Sequence, residues 1–281
     1  MASIFHIDRG RLVELKEADF ISEDLLQRLL ADHPELLGIA SREGGRLLLI
    51  GREQAVPDQE SGSGRWSLDH LFVDRQGVPV LVEVKRASDT RARREVVAQM
   101  LDYAANGVAY WPVGEIIDTF ERSSEALGEA PGDRLRAFLG DERDPETFWQ
   151  QVESNLRSGR IRMVFVADRI APELRRIVEF LNEQMRPAEV LAVEMPQYVG
   201  DGEVRTLVPS IVGRTERAQA NKRATPELPE MSIEDWLERF EAVNGHPARK
   251  GLDRALAWMQ NEAMEADLTR SQSAISIRFK V

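Results

Sequence analysis

An unbroken apolar run, Val78-Pro79-Val80-Leu81-Val82, leads directly into Glu83, Val84 and Lys85. The run is bounded by Gly77 and by the polar stretch after Lys85, which is the pattern of a strand buried on both faces. Pleating places Glu83 and Lys85 on the same side of the sheet. Charged side chains are almost never fully buried unless they are paired or bind a metal, so this strand end calls for a partner. The preceding run, "WSLDHLFV" (66–73), also reads as a strand, and "DRQG" (74–77) between the two is a tight hairpin signal.

The same reading extends along the chain. "SEDLLQRLLADHPELLG" (22–38) predicts an amphipathic helix with Ser22 as N-cap, Gly38 as stop and Leu25, Leu26, Leu29 and Leu30 on one face. "GRLLLIGRE" (45–53) predicts a strand, followed by a flexible loop over 54–65. The loop's glycines are not a phosphate loop, because no Gly-Lys-Ser/Thr follows. Residues 89–107 predict a helix ending at Gly107, and "VAYWPV" (108–113) a strand.

Residues 115–159 are helical in pattern, interrupted by "GEAPGD" and "GDERDP". A second α/β unit follows: a strand at 160–168, a helix at 172–185, and strands at 188–199 and 205–213 that extend the same sheet. The expected fold class is therefore α/β, in a domain spanning 1–214 with a core at about 20–113 and an extension at 114–214. Residues 215–230 read as a linker, and 231–281 as a small C-terminal region of two helices and a final strand. That last strand has no evident partner hairpin, which points to a chain cut short.

Composition narrows the chemistry. There are no cysteines, which excludes disulfides and thiolate zinc sites, and the four histidines are scattered without metal-ligand spacing. No secretory leader and no apolar stretch of membrane-spanning length is present, so the expected location is cytoplasmic, with no membrane partner. A net charge of −11 argues against coating nucleic acid through general electrostatics. Positive charge is nevertheless local: from 85 to 94, Lys85, Arg86, Arg91, Arg93 and Arg94 face a single acidic residue, Asp89. Such a patch suits a phosphate backbone.

The hairpin supplies the candidate site. With "DRQG" as the turn, Asp69 falls opposite Glu83 within about one residue of register, and two facing carboxylates need a cation. Lys85 supplies one positive charge; a hard divalent ion would supply more, taking oxygen ligands from Asp69, Glu83 and the carbonyl of Val84. In the following helix Gln99 and Tyr103 are four apart and share a face.

Asp69, the "EVK" of Glu83-Val84-Lys85 and the "QMLDY" of Gln99 to Tyr103 resemble the motifs of the PD-(D/E)XK nuclease superfamily, in its RecB-type branch with a Q-x-x-x-Y motif. The stretches "DLLQRLLADHPELL" and "LDHLFVDRQGVPVLVEVK" are also similar to archaeal and bacterial structure-specific endonucleases of that branch. The resemblance implies a restriction-endonuclease-like core of helix, three strands, helix and strand. It further implies a Mg²⁺-dependent deoxyribonuclease, with Mn²⁺ as a substitute metal, acting as a DNA endonuclease. Asp69, Glu83 and Val84 would hold the metal, Lys85 would assist the water or the scissile phosphate, and Gln99 and Tyr103 would support the site. Arg86, Arg91, Arg93 and Arg94 would bind nucleic acid. Family members often add an acidic residue from the first helix, here Glu23 or Glu35, and many pair subunits, so a homodimer is one expected state. Two other readings stand beside this one. The chain is a catalytically silent nuclease-like scaffold that serves as a binding or assembly module, or Glu83 and Lys85 form a structural ion pair.

Overall fold

The structure, a computed structural model, describes residues 4–8, 11–39, 46–56, 66–86, 92–140, 143–200, 204–223, 232–261, 264–268 and 275–279. The chain divides into two compact units, Met1–Lys222 and Arg223–Val281. The first is mixed α/β, built on a six-stranded mixed sheet.

The apolar hairpin forms the middle of that sheet. Strand β3 (Leu47–Val56) pairs antiparallel with β4 (Trp66–Asp74), and β4 pairs antiparallel with β5 (Pro79–Lys85). The turn is held by Asp74, whose Oδ1 accepts from the backbone N–H of Gln76 and of Val78, each at 2.9 Å. Gly77, at φ 74°, supplies the left-handed residue that the turn needs. Beyond β5 the sheet turns parallel, with β6 (Arg162–Ala167) and β7 (Glu189–Glu194), and closes with antiparallel β10 (Ser210–Val212). The helix α6 (Pro172–Gln184) makes the crossover between β6 and β7.

Both faces of the sheet are covered, which accounts for the unbroken apolar run in β5. Val80, Val82 and Val84 pack with Phe20, Leu26, Leu30 and Ile39 beneath α1 (Glu23–Asp32). Leu81 lies on the opposite face with Leu71, Met100 and Phe148, under α2 (Ala92–Tyr110), α3 (Val113–Ala126), α4 (Pro131–Leu139) and α5 (Pro145–Arg157).

The strand expected at 108–113 is not one. Helix α2 runs through Gly107 to Tyr110, and Trp111 and Pro112 lead straight into α3. A Cβ on Gly107 would stand 3.1 Å from the buried Trp111 ring. The glycine therefore admits the indole rather than ending the helix. The strand that follows the hairpin in the sheet is β6, four helices later.

The remaining strands also part from expectation. Residues 188–199 divide into β7 and β8 (Gln197–Val199), and 205–213 into β9 (Arg205–Leu207) and β10. Strands β8 and β9 join β1 (Ile4–Asp8) and β2 (Arg11–Ala18) in a separate four-stranded sheet of order β1-β2-β8-β9. Helix α7 (Glu216–Arg223) occupies the first half of the stretch read as a linker, and 224–230 lie outside the described residues. In the second unit, α8 (Ile233–Asn244) starts on a capping box of Ser232 and Asp235 and is followed by α9 (His246–Asn261). The final strand does have a hairpin partner: β12 (Ile275–Phe279) pairs with β11 (Met264–Leu268). Among the described residues no helix is long and apolar enough to cross a membrane.

Because the Asp74 carboxylate sets the turn and also meets Arg162 at 3.4 Å, it fixes the register of β4 against β5. Asp74→Ala is expected to lower unfolding free energy by about 2–4 kcal/mol, through two orphaned N–H groups and the loss of one of the two carboxylates that flank the largely buried Arg162, which keeps Glu189. Urea denaturation of the two proteins measures it.

Candidate functional site

The site forms where β4 and β5 part. Their ladder ends at the pair His70 and Val82, and one step further brings Asp69 level with Glu83. There the Asp69 side chain takes over the role of a ladder partner: its Oδ2 accepts from Val84 N–H at 2.7 Å. The Val84 carbonyl leaves the strand on the same edge as its N–H and so faces the same way. The Val84 side chain points down into the α1 core.

Glu83 is 1% exposed, Asp69 is mostly buried, and both share the α2 face with Leu71 and Leu81. Lys85 reaches back along that face. Its Nζ lies 3.0 Å from Glu83 Oε1, 3.5 Å from Glu23 Oε1 and 3.9 Å from Asp69 Oδ2. One ammonium thus serves three carboxylates, and Glu83 Oε2, although buried, has no hydrogen-bond partner.

The electrostatics follow from this imbalance. Burial, and then the Asp69 charge, push the Glu83 carboxyl up to about 7, against the pull of Lys85. Burial also raises Asp69, although the Val84 N–H and Lys85 oppose it. For Lys85, burial alone would lower the ammonium, but Glu83 and Asp69 outweigh it and the net shift is upward. The pair is unequal because Lys85 has several carboxylates to hold it charged, whereas Glu83 shares its single cation with neighbours of its own sign.

Helix α1 brings Glu23 to the rim. Ser22 Oγ caps the helix by accepting from Leu25 N–H at 3.1 Å, and Asp24 is tied to Arg52 of β3 at 3.0 Å. On the α1 face His70 Nε2 lies 2.8 Å from the carbonyl of Gln27. A carbonyl only accepts, so this nitrogen carries the proton. Burial lowers the ring to about 4, which keeps it neutral. Glu35, the alternative to Glu23, is exposed and paired with His33 at 3.3 Å.

From α2, Tyr103 is buried and donates its hydroxyl proton to the Ser67 carbonyl at 2.8 Å, while Gln99 Nε2 donates to the same hydroxyl. Burial raises the Tyr103 hydroxyl, and Glu83 and Asp69 add to the shift. The structure therefore brings Asp69, Glu83, Lys85 and Glu23 into contact and sets Gln99 and Tyr103 over them from α2. Arg86 follows Lys85 at the strand end, half-buried, with its buried Nε lacking a hydrogen-bond partner. Arg93 and Arg94 lie in the first turn of α2 but their side chains, like Arg91 as a whole, fall outside the described residues.

One carboxylate was not anticipated. Glu53 lies between Arg52, paired with His70, and Gln54, paired with Leu68, and so stands level with Asp69 on its other side. Its φ is 49°, in the left-handed region, just after a bulge between Leu49 and Gly51, and its charge helps to raise Asp69. The one signal in the sequence was Gly51 inside an apolar strand, a mark of a bulge.

Among the described residues no group of three or more His, Asp or Glu side chains stands close enough to hold a metal ion. Magnesium asks for less, one or two carboxylates with waters completing the octahedron. Asp69 and Glu83 offer hard oxygens, and the unpartnered Glu83 Oε2 is a free ligand atom, so the donor set fits such an ion. Comparison with protein families, with curated proteins and with solved structures gives no match.

The Glu83 shift makes a stability prediction. A folded-state pKa raised above the unfolded value contributes stability that is complete below about 4.5 and is lost as pH rises through about 7. In the metal-free protein Glu83→Gln is therefore expected to add about 1–3 kcal/mol at pH 8 and little at pH 5. Chemical unfolding in a chelator at both pH values reads the difference; equal effects would mean that Glu83 ionises normally.

Proposed function

We propose that the chain is a Mg²⁺-dependent nuclease of the PD-(D/E)XK type, which hydrolyses phosphodiester bonds in DNA. The observation that carries the reading is a fully buried carboxylate with a free oxygen, Glu83 Oε2, set beside Asp69 and Lys85 at the parting of two central strands. Burying two carboxylates next to each other costs stability, a cost that a cation-dependent function explains. The order helix, hairpin, helix around this point agrees with a restriction-endonuclease-like core, with β6 as its further strand.

In this reading Asp69, Glu83 and the Val84 carbonyl would hold the metal. A metal bound there supplies Lewis-acid polarisation of a phosphate oxygen and a water of lowered pKa. Lys85 orients the attacking water and offsets the negative charge that grows on the phosphate oxygens. The water oxygen bonds to phosphorus, the bond to the leaving sugar oxygen breaks, and the proton from water balances the leaving group. Tyr103, anchored on Ser67 and Gln99, walls the site on the α2 side. Arg86, the next residue along the chain after Lys85, would supply a guanidinium for the backbone phosphate.

A second reading, the catalytically silent scaffold, draws support from Lys85 itself. An ammonium already seated among the carboxylates makes a self-contained ion cluster, and the net charge of −11 disfavours tight binding of polyanions. The decisive assay incubates the protein with single-stranded, duplex and branched DNA in Mg²⁺ or Mn²⁺. Metal-dependent cleavage that falls about 1,000-fold or more in Glu83→Gln is expected, in line with the loss of essential transition-state electrostatics. Absence of cleavage, together with an unchanged melting temperature on adding either metal, would establish the scaffold.

A further inference from the structure

We infer that Lys85 is the resident cation of the metal-free site, and that Glu23 is a positioning residue that receives the ammonium when a divalent ion enters between Asp69 and Glu83. This rests on the nuclease reading and gives Glu23 a role other than metal ligand. The ammonium lies 3.0 Å from Glu83 and 3.9 Å from Asp69, the two carboxylates best suited to an ion, and 3.5 Å from Glu23 on the opposite strand-to-helix side. A divalent ion seated between the first two repels an ammonium held against the same oxygens.

The lysine has somewhere to go. Its stem of four methylenes and its compact ammonium let it change partners with little rearrangement. Glu23 is the more exposed of its carboxylates, with a side chain 35% accessible against 15% for Asp69 and 1% for Glu83. A move toward Glu23 thus carries the ammonium toward water, at low desolvation cost. Glu23 itself is fixed at the first position of α1, where the helix end favours a negative charge. The Ser22 cap and the bridge from Asp24 to Arg52 hold that end in place.

Two features separate a lysine seat from a ligand. Among the described residues, Glu23, Asp69 and Glu83 do not form a group close enough to hold an ion together. Among the described residues, the one buried side-chain oxygen without a hydrogen-bond partner belongs to Glu83 and not to Glu23. Glu23 already has its partner in Lys85.

A double-mutant cycle on Mn²⁺ affinity tests the inference, read by calorimetry and by the paramagnetic resonance of free Mn²⁺, on the full chain without DNA. Lys85→Met is expected to bind Mn²⁺ about tenfold or more tightly than wild type, because the competing cation is gone. Glu23→Gln is expected to weaken binding by about tenfold when Lys85 is present, and to change it by less than about twofold in the Lys85→Met background, the coupling expected of linked sites. Equal weakening in both backgrounds would make Glu23 a ligand, and no effect in either would make it a bystander; both overturn the inference while leaving the nuclease reading intact. Absence of Mn²⁺ binding in every variant overturns both. Should Lys85→Met fail to fold, the Lys85 Cε resonance in the wild-type protein decides: it shifts saturably with Mg²⁺ if the ammonium changes partners, and a stationary resonance under bound metal rejects the move.

Discussion

Three carboxylates converge on one ammonium at the end of the central strand, and much of the first unit is arranged to make that possible. The parting of β4 from β5 after His70 and Val82 frees Val84 N–H, which Asp69 then satisfies. Without that hydrogen bond, the Val84 N–H would lose its partner and Asp69 would keep only the longer contact to Lys85. Helix α1 contributes Glu23 only because its start is capped by Ser22 and roped to β3 through Asp24 and Arg52. On the far side, Tyr103 reaches the Ser67 carbonyl and so binds α2 to the same strand that carries Asp69. Each attachment is local and modest, yet together they hold like charges closer than the charges themselves would choose.

In its balance of charge the cluster differs from an isolated buried ion pair. An isolated buried pair neutralises itself, and both partners are held in their charged forms. Here Lys85 is stabilised in its charged form while Glu83 is driven toward the neutral one. The deficit is on the anionic side, and it is greatest at the atom with no partner, Glu83 Oε2. A protein that needed only rigidity would gain more from an apolar pair at this position.

The hairpin and the charged residues it brings together were legible in the sequence because they depend on near neighbours. The apolar run, the turn residues Asp74 and Gly77 and the alternation of Glu83 and Lys85 all act within about twenty residues, and the Asp69–Glu83 register followed from the turn alone. Helix α1, which ends at Asp32 before a 3-10 turn at Pro34–Leu37 rather than running to Gly38, and the crossover helix α6 were readable for the same reason. What failed was long-range or dual in meaning. Gly107 reads as a helix stop, but it is small because Trp111 packs onto it. The β-branched and aromatic residues of 108–113 read as a strand, while they lie at the junction of two helices. The pairing of β2 with β8 joins Lys16 to Val199, a separation that no local pattern encodes. Glu53 was hidden by a bulge that moves it level with Asp69.

Strand β4 carries a histidine and an aspartate side by side, and they answer acidity in opposite ways. His70, stacked on Phe72 at 5.6 Å between centroids and bonded to α1, stays neutral down to about pH 4. On the α1 face His70 therefore adds no charge near pH 7, where Glu83 on the opposite face changes its proton. Across the sheet, Glu83 can gain or lose a proton while neutral His70 keeps its bond to the helix that carries Glu23.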